Sequence, residues 1–202
     1  MVSLAKSELI LGGQRSGKSR RAEQLASDWL VQSAGHKAVL IATGTASDSE
    51  MHQRIARHQQ ERSQRVPRMA TVEEPIEIAK AIQAHSTPQT IVVVDCLTLW
   101  LTNLLMPHED ITGIDNRLKK ASKTPLAPDI RLRCAPFLIA IQNLPGPVVL
   151  VGNEIGLGVI PMGRQTRAFV DALGHLNQDV ASVCTRVVLM AAGLPLFLKG
   201  SA

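Results

Sequence analysis

The stretch that most constrains this chain is 8–19, ELILGGQRSGKS, where an apolar run breaks into Gly12, Gly13, Gln14, Arg15, Ser16, Gly17, Lys18 and Ser19. The spacing is G-x-x-x-x-G-K-[ST], the pattern of a loop that cradles phosphate groups. Glycines at 12, 13 and 17 let backbone N–H groups approach an anion closely, because no Cβ stands in the way. Lys18 is expected to reach the β- and γ-phosphates. The Ser19 hydroxyl is expected on Mg²⁺, at the start of a helix whose dipole favours the anion. The surroundings agree with the motif. Leu9, Ile10 and Leu11 read as a buried strand, and Ala22, Leu25, Ala26, Trp29 and Leu30 recur at helical spacing, which predicts strand, loop and helix in that order.

Further along, 38–43 reads as a second buried strand, followed by a small-residue loop over 44–47. Ser47-Asp48-Ser49-Glu50 matches a capping box and predicts a helix from about Asp48. On that helix Arg54, His58 and Arg62 fall at i, i+4 and i+8 and share a face, opposite a small apolar one from Met51 and Ile55. Residues 66–70 contain Pro67 and read as a connection or edge segment. Thr71-Val72-Glu73-Glu74-Pro75 gives a second capping-box signal ahead of a helix with Ile78, Ala79 and Ile82. Thr90–Asp95 is a continuous β-branched run that ends in an acid, as in a central parallel strand with a carboxylate at its C-terminal end. Asp95 is thus the candidate to hold Mg²⁺, directly or through water.

Leu97–Leu105 reads as a buried helix or an intersubunit surface. An irregular insertion is expected over about 107–130, then a helix over 135–143 with Pro136 in its first turn, and a buried strand at Val148–Val151. The loop from Asn153 to Pro161 has glycines at the strand end where open α/β sheets bind ligands. A long helix from about Arg164 precedes strands at Arg186–Ala191 and 196–199, joined by a Gly-Leu-Pro turn. Five or six strands alternating with helices predict one α/β domain over 1–202. Its expected form is a P-loop NTPase (RecA-like) three-layer sandwich, with a mainly parallel sheet and a C-terminal antiparallel hairpin.

Composition narrows the partners. Lys plus Arg number 22 against 17 Asp plus Glu, a positive balance that favours phosphorylated ligands. With 2 Trp, 3 Phe and no Tyr the chain lacks an aromatic stacking platform, and no Lys/Arg run is present, so no nucleic-acid partner is expected. Cys96, Cys134 and Cys184 are odd in number and widely spaced, which argues against disulfides or a zinc site and for a cytoplasmic location. No apolar run approaches the roughly 18 residues of a transmembrane segment, and the short, mixed segment Met1–Glu8 lacks a secretory apolar stretch, so neither a membrane span nor a leader is expected.

Taken in order, GGQRSGKSRRAE, the IAT…EM…RI..H..ER stretch from Ile41 to Arg62, VDCLTLWLTNLL, NEIGLGVIP and RQTRAFVDALGHLNQ resemble the bifunctional adenosylcobinamide kinase/adenosylcobinamide-phosphate guanylyltransferase family of cobalamin biosynthesis. The resemblance implies two reactions on one fold. ATP or GTP phosphorylates the hydroxyl of adenosylcobinamide; a histidine then takes GMP from GTP and passes it to adenosylcobinamide phosphate, giving adenosylcobinamide-GDP. The family's nucleophile position is occupied by His58. Its nucleotide contacts fall on Gly12 through Ser19, on Thr43, Gly44 and Thr45, on Gln59, Gln60, Glu61 and Arg62, on Glu73 and on Asp95. Glu73 is suited to accept from guanine or from ribose. The resemblance also implies a homotrimer. The residues themselves are compatible with this, since a neutral imidazole is a nucleophile near neutral pH and Arg54 and Arg62 stand one turn to either side; His52, at i−6, is poorly placed to replace it. Two other readings remain open at this point. A P-loop small-molecule kinase would leave His58 incidental, and a nucleotide-switched ATPase would show nucleotide-dependent partner binding.

Overall fold

The computed structural model describes residues 4–45, 49–106 and 126–201, with side chains throughout except at Arg54 and 126–129. Ser47 and Asp48 of the first capping box, and the expected insertion as far as residue 125, lie outside the described residues. The elements run β1 (Ser7–Gly12), α1 (Lys18–Gln32), β2 (Lys37–Ala42), α2 (Ser49–Arg65), β3 (Met69–Glu73), α3 (Ile78–His85) and β4 (Thr90–Asp95). They continue with α4 (Leu97–Leu105), α5 (Leu126–Asn143), β5 (Val148–Val151), α6 (Arg164–Val183), β6 (Arg186–Ala191) and β7 (Leu194–Lys199).

Strand order is β3-β2-β4-β5-β1-β6-β7, parallel except for β7, which returns antiparallel to β6. The continuous apolar runs sit in the middle because a strand covered on both faces has no polar side to show. Alternation along them divides the core in two. Leu9, Leu11, Val92, Val94 and Leu150 face α3, α4, α5 and α6, whereas Ile10, Ile91, Val93, Val149 and Val151 face α1. The result is three layers. Each fully buried Leu or Ile in them contributes about 1.5–3 kcal/mol. Leu97–Leu105 belongs to this core rather than to an outer surface: Leu97, Trp100, Leu101 and Leu104 are buried, Trp100 Nε1 donates to the Ile76 carbonyl at 2.8 Å, and its ring meets Phe137 at 5.1 Å.

Four expectations are corrected. The sheet has seven strands, not five or six, because Met69–Glu73 pairs with β2 as an edge strand. Thr71 therefore caps no helix; its Oγ1 accepts from Arg62 Nη2 at 3.1 Å, while Glu74 Oε1 accepts from the Ile76 and Glu77 amides and closes the turn before α3. Pro136 lies inside α5 rather than in its first turn. It costs that helix one N–H, at the level of the exposed Leu132. The β6–β7 turn is Ala192-Gly193, with φ of 51° and 80°, rather than Gly-Leu-Pro. Two consecutive left-handed residues give the twist a two-residue hairpin requires. Among the described residues no helix is long and apolar enough to cross a membrane.

Candidate active site

Parallel strands bring the C-terminal ends of β1, β2, β4 and β5 to one edge of the sheet, and the phosphate-loop residues occupy its centre. Gly12 leaves β1 at φ 151°, where a Cβ would stand 2.5 Å from the Met190 carbonyl oxygen and 2.6 Å from Ser16 Oγ. Only glycine fits there. Arg15 and Gly17 take left-handed conformations at φ 56° and 102°, curling the chain so that successive N–H groups turn inward. From outside, the Gly193 amide of the hairpin donates to the Ser16 carbonyl at 3.0 Å. Across a trans peptide the N–H points opposite to the C=O, so this bond turns the Gly17 N–H away from the hairpin, toward the loop interior.

Lys18 and Ser19 open α1. Lys18 is 8% exposed and its Nζ donates to the Gly13 carbonyl at 2.7 Å. Burial holds its ammonium below the ordinary lysine range, while the negative charge of Asp95 pulls the other way. The acid at the end of β4 is thus near enough for its charge to act on Lys18. Ser19 and Asp95 supply hard oxygen donors of the kind Mg²⁺ takes alongside phosphate oxygens. Among the described residues no group of three or more His, Cys, Asp or Glu is placed to hold a metal without such help.

Thr43 ties the neighbouring strand ends together. It is fully buried; its Oγ1 donates to the Cys96 carbonyl at 2.7 Å and accepts from the Cys96 amide at 2.8 Å. Its side chain is thus committed to the fold, and Gly44 and Thr45 are the members of that trio left at the open edge. Gly44 lies close under Leu99 and Ile55, which brings α2 to the loop after β2. The three cysteines are buried and free, with burial pushing Cys96 and Cys184 up to about 12 and Cys134 to about 11, so none is a poised thiolate.

The second cluster lies at the sheet margin. Gln59, Arg62, Val66, Met69, Thr71 and Glu73 line a groove of about 420 Å³ between the C-terminal half of α2 and β3. Three of the expected nucleotide contacts, Gln59, Arg62 and Glu73, converge there. Glu61 and Gln60 do not: Glu61 pairs with Arg65 at 3.0 Å, and the Gln60 carbonyl accepts from Ser63. His58 is exposed on α2, one position before Gln59. Four inter-strand steps separate β3 from β1, about 19 Å at roughly 4.8 Å per step, so the groove and the phosphate loop are two stations on one edge.

Sequence reasoning missed the brace beneath the phosphate loop. Glu8 is fully buried in β1 and accepts from Arg21 Nε at 2.8 Å and from Arg186 Nη1 at 3.2 Å, with both guanidinium groups within 6 Å of the Phe197 ring centroid. A carboxylate in a strand surrounded by apolar neighbours, with arginines available, was the only signal, and its partner at Arg186 lies 178 residues away.

Comparison with known proteins gives concordant findings. Residues 8–198 match the family model described as cobinamide kinase / cobinamide phosphate guanyltransferase. The chain is 42% identical over 193 residues to a bifunctional adenosylcobalamin biosynthesis protein, CobP, of Pseudomonas aeruginosa, covering 96% of this chain and 97% of that one. It is 34% identical over 191 residues to the bifunctional adenosylcobalamin biosynthesis protein CobU of Escherichia coli strain K12, covering 95% and 98% respectively. A solved structure from Pyrococcus horikoshii OT3 superposes with a TM-score of 0.51 at 9% identity, over 98% of this chain and 88% of that one, and shares the fold.

Proposed function

The chain belongs to the cobinamide kinase / cobinamide phosphate guanyltransferase family, and from that premise we propose how its own residues divide the two reactions. The observation that carries the first is the buried Lys18 inside a glycine-lined loop, electrostatically coupled to Asp95. In phosphoryl transfer the adenosylcobinamide hydroxyl attacks the γ-phosphorus of ATP or GTP, the bond to the bridging oxygen breaks, and the nucleoside diphosphate leaves. Lys18 and the loop N–H groups offset the charge that builds on the phosphate oxygens. Ser19 and Asp95 would hold Mg²⁺, which supplies further neutralisation of that charge.

In guanylyl transfer a ring nitrogen of His58 attacks the α-phosphorus of GTP and pyrophosphate departs. A phosphate oxygen of adenosylcobinamide phosphate then attacks the same phosphorus, frees the imidazole and yields adenosylcobinamide-GDP. Gln59, Arg62 and Glu73 hold the nucleotide in this reading, with Glu73 accepting from base or ribose; their meeting in one groove beside α2 supports it. The two attacks need different acceptor positions, so either the nucleotide or α2 shifts between them; the absence of any buried side chain among those described on α2 favours the helix. Mg²⁺, the cytoplasmic location and a homotrimeric assembly are parts of the same proposal. Exposed apolar side chains at Leu157, Val159, Ile160 and Met162 support an assembly.

Purified protein supplied with adenosylcobinamide, ATP and Mg²⁺ is expected to form the phosphate ester, and on addition of GTP the GDP ester. His58→Ala is expected to stop at the phosphate. Loss of both products in that variant would assign His58 a structural role, and accumulation of the GDP ester would remove it as the nucleophile.

A further inference from the structure

The loop after β5 has a role that the phosphate motif and the His58 helix leave open. β5 lies between β1, which carries the phosphate loop, and β4, which carries Asp95; Val151 is in register with both Ile10 and Asp95. Whatever follows β5 therefore emerges between the phosphate cradle and the metal-binding carboxylate. Its third residue beyond the strand is Glu154. The backbone fastens it there, since the Glu154 amide donates to the Gly12 carbonyl at 3.1 Å, and the Gly152 amide donates to the Ile10 carbonyl at 2.9 Å.

The side chain is positioned as well. Glu154 Oε1 accepts from the Gly156 amide at 2.8 Å, and Oε2 accepts from Asn177 Nδ2 at 3.3 Å; Asn177 is buried in α6 and also donates to the Asn153 carbonyl at 3.1 Å. These bonds leave acceptor capacity on a carboxylate that is half-buried and open to the edge. Its loop leaves the sheet between the strand that leads to Lys18 and the strand that ends in Asp95. We propose that Glu154 receives the proton of the acceptor hydroxyl during phosphoryl transfer. The inference rests on the kinase half of the reading above. As the hydroxyl oxygen bonds to the γ-phosphorus, its proton passes to a Glu154 carboxylate oxygen, the bond from the γ-phosphorus to the bridging oxygen breaks, and that electron pair leaves with the nucleoside diphosphate. Asp95 remains free for the metal ion and Lys18 for the phosphates, so each group has one task.

The test compares wild type, Glu154→Gln and Glu154→Asp with adenosylcobinamide and ATP, measuring kcat and KM for each substrate, with ATP affinity measured separately by calorimetry. Glutamine keeps an oxygen for the Gly156 amide and has almost the same shape. The expected result is a fall in kcat of about 10²-fold or more for Glu154→Gln, partial recovery in Glu154→Asp, and ATP affinity within about threefold of wild type. A Glu154→Gln kcat within about threefold of wild type overturns the assignment while leaving the kinase reading intact. Parallel loss of kcat and ATP affinity overturns it in favour of a brace for the phosphate loop. Wild-type protein that binds ATP but transfers no phosphate overturns the kinase reading itself, and the Glu154 assignment with it.

Discussion

The phosphate loop and the α2–β3 margin share one edge of the sheet yet are built in opposite ways. Around Gly12–Ser19 the surroundings are over-determined: β1 is buried at every position, α1 buries Ala22, Leu25, Ala26 and Leu30, and the hairpin amide at Gly193 and the Glu154 amide bond to the loop from two sides. Across α2 no described side chain is fully buried. That helix is held to the body by Arg65 on the buried Glu23 of α1 and by Arg62 on Thr71 of β3, while Arg65 to Glu61 is a pair within the helix, worth about 0–1 kcal/mol at its exposed position. On the proposed reading the difference separates two chemical tasks. Charge stabilisation at phosphates works best from groups that do not have to reorganise, whereas a nucleophile that must be presented to one phosphorus and withdrawn from another needs a support that costs little to move.

The largest effect expected from this contrast is kinetic. Lys18→Ala should lower both reactions by about 10²-fold or more, because the same charge supports the γ-phosphate in one and the departing pyrophosphate in the other. Steady-state assays of the two products measure it, and a variant with either reaction at the wild-type rate would break the idea of a shared phosphate site. Next in size is a pair of truncations. Ile10→Ala, in the fully buried centre of β1, should cost about 2–5 kcal/mol by urea unfolding, and Ile55→Ala, half-buried on α2, less than about 1.5 kcal/mol. Equal costs would mean that α2 is as firmly packed as the core.

The smallest effect concerns protons. Lys18 titrates below the ordinary lysine range in the free protein because it is desolvated, and bound phosphates favour the charged form. Its pKa should therefore rise on binding, so that nucleotide binding just below the ordinary lysine range takes up protons, an uptake that fades as the pH falls and the free ammonium is already charged. Calorimetry in two buffers of different ionisation enthalpy reads this directly. Lys18→Arg should show little uptake, since arginine keeps its charge throughout that range; equal uptake in the variant would place the titrating group elsewhere.

Legibility in the sequence follows the range of the forces involved. The phosphate loop is set by local backbone demands, so its glycines and Lys18 can be read from spacing. β1, β2, β4 and β5 can be read from unbroken apolar runs, because a strand covered on both faces must be apolar throughout. β3 is an edge strand with a mostly exposed pattern and carries no such signal; the Thr71 to Glu74 spacing pointed to a helix cap, and pairing with β2 overrode it. The Glu8–Arg186 pair, the Gly193–Ser16 bond and the meeting of Gln59 with Glu73 depend on the chain returning from afar, and no local pattern records them. His58 is the sharpest case. Its helix position could be read, but an exposed imidazole on a polar helix looks like any other, and its assignment came from the ordered resemblance along the chain.

The most direct test of the account is covalent labelling. Wild-type protein and His58→Ala, with Mg²⁺ present, are incubated in parallel with GTP labelled on the α-phosphate and GTP labelled on the γ-phosphate, and the denatured chains are counted. The account predicts acid-labile, base-stable label from the α position alone, absent in His58→Ala. A wild-type chain that binds GTP yet retains no label, or label that persists in His58→Ala, would contradict it.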